Sequence, residues 1–229
     1  MKTITQKLTV ATAIGAAALS FATTSAYAQS DQQSLVNQSV TTLSNFMRDP
    51  EMTWLQQNIG RAKAVLISPE IVKAGFIVGG SGGRGVLVAK DSAARTWVGP
   101  AFYTLATASV GFQAGISSSE TITLVMTDKG MNSLLSNSFK LGADVSIAVG
   151  PVGSGAKSDI LADLIAFSRS KGVYGGLNLD GTIVTTNDDW NKAYFGKPVL
   201  PPDILVRASV SNKDAAALLS AIAAAAVAP

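Results

Sequence analysis

The sequence predicts an α+β domain built on a curved, mainly antiparallel sheet that curls toward a barrel and is flanked by helices near both ends of the chain. Aliphatic residues alternate with small or polar ones over several central segments, which is the period of a half-buried strand. Helical periodicity is confined to the flanks. Glycine recurs on the non-aliphatic side of these segments. Because glycine weakens a strand, its recurrence indicates strong curvature or the close approach of another backbone.

The first 28 residues have the form of a secretory signal peptide. Lys2 and Lys7 precede a mostly apolar run over 8–22, and residues 26–28 (Ala-Tyr-Ala) match a small-x-small cleavage site. The apolar run is short for a membrane anchor. We therefore expect a mature chain that begins at Gln29 and is exported to a periplasm or out of the cell.

Composition excludes several classes of function. The chain has 18 basic and 15 acidic residues, and two of the lysines lie in the signal segment, so the mature chain is nearly neutral. It has no basic cluster of the kind that nucleic-acid binding requires. It also lacks histidine and cysteine, which removes Ser-His and Cys-His catalysis and histidine metal sites. We expect no enzyme activity, no cofactor and no metal.

Residues 29–61 are predicted to form a helical segment that folds as one unit with a main domain over 62–229. Its first helix, over 34–47, carries an apolar stripe, and Asp49-Pro50-Glu51 begins a second helix that carries Met52, Trp54, Leu55 and Ile59. The stripe either contacts a membrane surface or covers the sheet. Helices that bind membrane surfaces are usually rich in lysine and arginine. The second alternative is therefore favoured, because Arg48 is the one basic residue between 29 and 60.

The remaining elements are predicted from alternation, turn residues and helix caps. In chain order they are a buried run over 64–67 ending at Ser68-Pro69, a hairpin of 75–79 and 85–89 around a glycine turn, a strand over 109–116, a strand over 121–127, a helix from Asp128 through Leu135, a strand over 141–149, a hairpin of 173–179 and 182–186 around Asp180-Gly181, a helix from Asp188 or Asp189 to about Gly196, and an alanine-rich helix over 212–228.

Three motifs that suggest catalysis or nucleotide binding fail in their context. Residues 80–85 match G-x-G-x-x-G, but a strand follows where a dinucleotide site needs a helix. The letters of a nucleophile elbow over 79–83 lack a histidine base. Residues 150–158 resemble a P-loop, but Ala156 breaks the required Gly-Lys pair. No two carboxylates are placed as a hydrolase needs them.

A series of short motifs, taken together, resembles the SYLF domain family. They are Lys73-Ala-Gly-Phe76 followed by the glycine-rich stretch 79–85, Trp97-x-x-Pro100, Gly111-Phe-Gln113-x-Gly115, Gly142-x-Asp144, Gly150-Pro151 and Asn191-x-x-Tyr194-x-Gly196. The resemblance covers about 62–206. It implies structural roles for Gly75, Gly80, Gly82, Gly85, Trp97, Pro100, Asp144, Asn191, Tyr194 and Gly196.

The resemblance also implies function, because the family includes lipid-binding modules of eukaryotic actin regulators and many secreted bacterial proteins. It implies a non-catalytic protein that binds a phospholipid, such as phosphatidylinositol, or that binds a membrane surface. The alternative is a module that binds another protein. Lys73, Arg84 and Lys90 are the candidate lipid contacts. Arg84 is expected at a glycine-rich hairpin tip that can bind an anion, or else it only keeps an edge hairpin soluble.

Overall fold

A computed structural model describes residues 30–75, 78–91, 94, 96–110, 115–153, 160–170 and 179–227. Within this part of the chain, eight strands form one curled half-barrel sheet, with helices at both ends of the chain. The strands are β1 Ala64–Gly75, β2 Val78–Asp91, β3 Thr96–Val110, β4 Gly115–Val125, β5 Ser138–Lys140, β6 Ile147–Val149, β7 Leu164–Ser170 and β8 Ile183–Thr186. The helices are α1 Asp31–Arg48, α2 Thr53–Asn58, α3 Asp128–Leu135, α4 Asp188–Phe195, α5 Pro201–Leu205 and α6 Ala216–Val227, with 3-10 turns at Pro50–Met52, Ile59–Arg61 and Lys213–Ala215.

The sheet order is β5-β8-β3-β2-β1-β4-β7-β6. Each neighbouring pair is antiparallel except β6 and β7. The four long strands β1 to β4 form its centre, and the shorter strands lie at its edges. The predicted fold class, an α+β domain around a curved and mainly antiparallel sheet, is therefore confirmed.

Helices pack on both faces of the sheet, around the buried residues of its long strands. We call the side that carries Val86 and Val88 the first face; α1, α2, α6 and Tyr194 of α4 pack on it. The opposite side, the second face, carries Leu87 and Tyr103 and packs against α3, α5 and β5. The apolar side of α1 is buried here, with Phe46 fully covered. This packing confirms that the helical segment covers the sheet.

Strand β1 does not end at Ser68-Pro69, so that prediction is wrong. The strand runs on to Gly75, and its register against both neighbours shifts between Ile67 and Ile71. The extra residue forms a bulge, which accommodates a proline that cannot donate to the ladder. The bulge places Ser68 among buried residues of the second face and Glu70 opposite Arg84 of β2.

The glycine-rich stretch is not a turn, which corrects the predicted hairpin of 75–79 and 85–89. Residues 79–85 lie inside β2 and pair with both β1 and β3. The glycines are needed because another backbone lies close. A Cβ on Gly83 would stand 2.4 Å from the carbonyl oxygen of Glu70, and one on Gly85 would stand 2.6 Å from Ser68 Oγ. The close approach at the β1 bulge therefore falls on glycines that the sequence had assigned to a turn.

Two further strands were predicted as single segments and are divided in the structure. Residues 109–116 span the end of β3 and the start of β4, and 111–114 lie outside the described residues. Residues 141–149 contain β6 and a turn in which Gly142 has a φ of +81°. Alternation in the sequence is a local pattern and does not report where the chain turns. Of the predicted hairpin at 173–186, residues 173–178 lie outside the described part.

The predicted helices agree with the structure, with different capping residues in two places. Helix α3 has the predicted bounds, but Thr127 rather than Asp128 accepts the capping hydrogen bond. Helix α4 begins after Asn187 and ends at Gly196 in a left-handed conformation, with a φ of +72°. Asn212 caps the turn that leads into α6.

Candidate functional site

The three candidate lipid contacts do not come together. Lys73 pairs with Ser81 on the face of the sheet opposite to Arg84. Lys90 lies six residues further along β2 than Arg84, about 20 Å at the strand rise, and its Nζ donates a hydrogen bond to the carbonyl oxygen of Gly60 at 3.0 Å. Arg84 lies in the middle of β2 rather than at a hairpin tip. Arg84 and Lys90 line two separate cavities, at different ends of the sheet.

The groove runs between the N-terminal half of α1 and the part of the sheet that extends past the helices. We call this part, residues 71–75, 78–84, 104–110 and 115–119, the sheet extension. The cavity has a volume of about 660 Å³. Its lining comprises Asp31, Ser34, Leu35, Gln38, Glu70, Val72, Gly82, Gly83, Arg84, Thr104, Leu105, Ala106 and Trp190. Gly82 leaves open space on the groove floor, since a Cβ there would have its nearest neighbour at 3.7 Å.

Arg84 is held in the groove by an aromatic ring. Its guanidinium carbon lies 4.6 Å from the centroid of the Trp190 ring, a cation–π contact that contributes about 0.5–1 kcal/mol when exposed. Trp190 is fixed in turn by an edge contact with Phe102, with ring centroids 5.8 Å apart. The contact fixes the arginine head and leaves its N–H groups able to bind an anion.

An acidic residue faces Arg84 across the ladder without pairing with it. Glu70 is the direct β1 partner of Arg84, and Ser118 Oγ donates to its Oε1 at 3.2 Å. Across the residues that the structure describes, no ion pair joins Glu70 to a cation. Asp31, at the first position of α1, adds a second carboxylate to the lining.

From the groove, an apolar surface continues over the first face of the sheet extension. Cross-strand pairing places small and aliphatic residues there in adjacent rows. The members are Val72, Ala74, Gly80, Gly82, Ala106, Ala108, Ile116 and Ser118. Val72 is 40% exposed and Ile116 is 82% exposed. Beyond the buried Ile71 and Leu105, the opposite side of the extension is polar, with Lys73, Ser81, Thr107 and Ser117.

The motif residues Asn191 and Tyr194 position Trp190 by attaching α4 to the sheet. Asn191 is fully buried, and its Oδ1 accepts a hydrogen bond from the backbone N–H of Phe102 at 2.9 Å. Tyr194 packs edge-on against Phe102, and its hydroxyl donates to Gln33 Oε1 of α1 at 3.3 Å. Burial, with a smaller effect of Asp214, raises the pKa of Tyr194 well above its usual value, so this hydroxyl stays a donor.

The other motif residues lie apart from the groove or form its frame. Trp97 and Pro100 are buried in β3, and Gly75 ends β1. Gly80 lies close to the carbonyl of Thr107, where a Cβ would be at 2.9 Å. Asp144 is in the turn after β5 rather than on a strand, and its Oδ2 accepts from the backbone N–H of Lys140 at 2.7 Å.

A second cavity lies at the other end of the sheet, around Lys90. It has a volume of about 1050 Å³, and Arg61, Lys63 and α6 residues such as Val227 contribute to its lining. Its cations already bind protein groups. Lys63 Nζ is 2.9 Å from Asp128 Oδ1, and Arg61 Nη1 donates to Asn58 Oδ1 at 2.9 Å. This end therefore offers less unpaired charge to a ligand than the Arg84 groove does.

Sequence reasoning identified Arg84 but missed its two neighbours, Glu70 and Trp190. The position of Trp190 had a signal in the sequence, because Trp190 directly follows two acids at the start of a predicted helix. Glu70 had none, since its place opposite Arg84 depends on the bulge at Pro69. Within the described ranges, no group of three or more acidic side chains is arranged to hold a metal ion, and no helix is long and apolar enough to span a bilayer.

The fold and the groove define a class of protein: a curled half-barrel with helices at both ends and a charged groove that opens onto an apolar sheet surface. Comparison with known proteins gives the particular family. The sequence profile of the Ysc84 (SYLF) family, described as "Las17-binding protein actin regulator", matches residues 106–225. The chain belongs to this family.

Relatives in yeast and human share a domain with this chain. LAS seventeen-binding protein 3 of Saccharomyces cerevisiae is 31% identical over 145 residues, which is 59% of this chain and 31% of the yeast protein. SH3 domain-containing YSC84-like protein 1 of Homo sapiens is 26% identical over 152 residues, 64% of this chain and 44% of the human protein. The match thus spans less than half of each of these relatives, and the yeast relative is named as a binding protein. No solved structure matches the chain.

Proposed function

We propose that the mature protein is an exported, non-catalytic phospholipid-binding protein, and that the Arg84 groove is its lipid site. The proposal of export rests on the signal-like segment before Gln29. Intact-mass measurement of exported protein tests it, and a mature chain that starts at Gln29 is expected. A retained, membrane-bound N-terminus would refute it.

The observation that carries the lipid assignment is the continuity of charge and apolar surface. Arg84 offers a planar fork suited to a phosphate, and the uncharged face with Val72 and Ile116 begins two residues away on the adjoining strands. A contiguous apolar patch beside a basic residue is the arrangement that favours lipid. Moving Ile116 from water into hydrocarbon would stabilise the complex by about 1–3 kcal/mol.

Vesicle flotation of the mature protein tests this assignment. Arg84→Gln should weaken binding because it removes the charge that faces the phosphate. Val72→Asp should weaken it because a carboxylate would enter the hydrocarbon boundary. Arg207→Gln is the matched control, since Arg207 is an exposed arginine of a surface ion pair with Asp203. Equal binding by all three variants and the wild type would remove the groove from the lipid site.

A protein partner is the second candidate, favoured by the names of the relatives, which include a LAS seventeen-binding protein. The same apolar face could contact a protein with a polar rim around it. The two candidates differ in the flotation assay, because a module specific for protein leaves all vesicles unbound.

A further inference from the structure

Glu70 and Arg84 are opposite each other on adjacent strands yet do not form an ion pair. Directly paired residues of antiparallel strands have Cα atoms about 4.5–5.5 Å apart, and opposite charges at such positions ordinarily attract. Here the guanidinium lies over Trp190 instead, and the carboxylate accepts only a hydroxyl, from Ser118. The groove therefore presents a carboxylate and a guanidinium side by side, each with capacity for a further partner.

This pair of charges matches a zwitterion rather than an anion. A headgroup with a phosphate and an ammonium can place the phosphate at Arg84 and the ammonium at Glu70. Each charge then gains a partner, and no unpaired charge is buried. An anionic headgroup would satisfy Arg84 alone and would place its remaining negative charge near the carboxylate.

The surrounding charges strengthen this preference. Asp31 adds a second carboxylate to the groove lining. A further cation, Arg169, lines the adjoining cavity together with Glu70, but it already pairs with Asp49 at 3.8 Å and with Glu120 at 3.7 Å. Lys73 lies on the opposite face of the sheet. Lys90 is six residues away on β2, about 20 Å at the strand rise. A polyanionic headgroup would therefore meet more negative than positive charge.

Resting on the proposed phospholipid function, we propose that the groove selects a zwitterionic phospholipid whose headgroup carries a primary amine, of the phosphatidylethanolamine class. The amine donates to Glu70, with Asp31 reinforcing the negative potential, and the phosphate binds Arg84. The acyl chains follow the apolar face of the sheet extension past Val72 and Ile116. A choline headgroup lacks N–H donors and makes a weaker contact with Glu70.

Co-sedimentation with phosphatidylcholine vesicles containing phosphatidylethanolamine, phosphatidylglycerol or phosphatidylinositol tests the selectivity. Wild-type protein should bind the phosphatidylethanolamine vesicles best. Glu70→Gln keeps the side-chain shape but removes its charge, and should reduce that binding roughly tenfold, toward the level of phosphatidylcholine alone. Glu70→Lys should reverse the preference toward phosphatidylglycerol. Asp128→Asn, which changes an acid whose side chain is 85% exposed at the other end of the sheet, should behave as wild type.

The outcomes separate this inference from the proposed function. If wild type prefers phosphatidylglycerol or phosphatidylinositol, or if Glu70→Gln leaves the preference unchanged, amine selectivity is wrong and lipid binding remains. If wild type binds no vesicle of any composition, the phospholipid function itself is wrong. Competition with free glycerophosphoethanolamine should displace little protein from the vesicles, because the acyl chains contribute to binding. Complete displacement would show that the free headgroup, rather than a membrane lipid, is the ligand.

Discussion

Asn191 Oδ1 accepts a hydrogen bond from the backbone N–H of Phe102 at 2.9 Å, and this buried contact helps to hold helix α4 on the sheet. Strand β8 pairs with β3 only from Tyr103 onward, so Phe102 has no strand partner on that side. The amide of Asn191 takes the place of the missing ladder bond. Trp190, next to Asn191, then lies under Arg84.

Asn191→Ala should destabilise the fold and loosen the groove together. It leaves the N–H of Phe102 buried without a partner, at a cost of about 1–3 kcal/mol. Urea denaturation measures the loss. Asn37→Ala, on the exposed side of α1, is the control and should change the unfolding free energy little. Equal midpoints for the two variants would show that the Asn191 contact does not hold α4.

Gly83→Ala and Gly82→Ala make a matched pair on β2. A Cβ on Gly83 would stand 2.4 Å from the carbonyl oxygen of Glu70, whereas one on Gly82 has its nearest neighbour at 3.7 Å. Overpacking of this kind costs about 1–3 kcal/mol, so Gly83→Ala should lower the melting temperature and Gly82→Ala should not. Similar melting temperatures for both variants would contradict the close approach at the bulge.

Acid should destabilise the protein through Asp163, which joins β7 to α3 and β6. Hydrogen bonds from the hydroxyls of Thr127 and Ser146, at 2.6 and 2.7 Å, lower its pKa from 3.8 to about 2. Because the folded-state pKa is depressed, this stabilisation is present above pH 3.8 and is lost as the pH falls toward 2. Thermal melts across that range should show a smaller acid-induced decrease for Asp163→Asn than for wild type. Parallel decreases would exclude Asp163 as a source of acid sensitivity.

The fold class could be predicted because alternation and helix caps are local signals. The caps at Asp49 and Gly196 and the bounds of α3 depend on neighbouring residues alone. The prediction of a turn over the glycine-rich stretch was wrong because its glycines allow a close contact with β1. Sequence patterns do not report such a contact. Because this stretch was predicted to be a turn, Arg84 was expected at a hairpin tip.

The groove was only partly predictable for the same reason. Arg84 stood out as a cation among glycines, but its partners come from distant elements. Glu70 reaches it through a bulge, and Trp190 through the attachment of Asn191. Both relationships are tertiary, so no spacing in the sequence encodes them.

The most direct test of the lipid site is a depth measurement on the sheet extension. The chain has no cysteine, so Ile116→Cys can carry a single environment-sensitive fluorophore. Leu161→Cys, at a residue that is 99% exposed but outside the groove lining, is the control. On addition of phospholipid vesicles, the probe at 116 should shift to the blue and be quenched by lipids labelled in their acyl chains, while the probe at 161 should not respond. Equal responses at both positions, or none at 116 while vesicles are bound, would contradict the proposed lipid site.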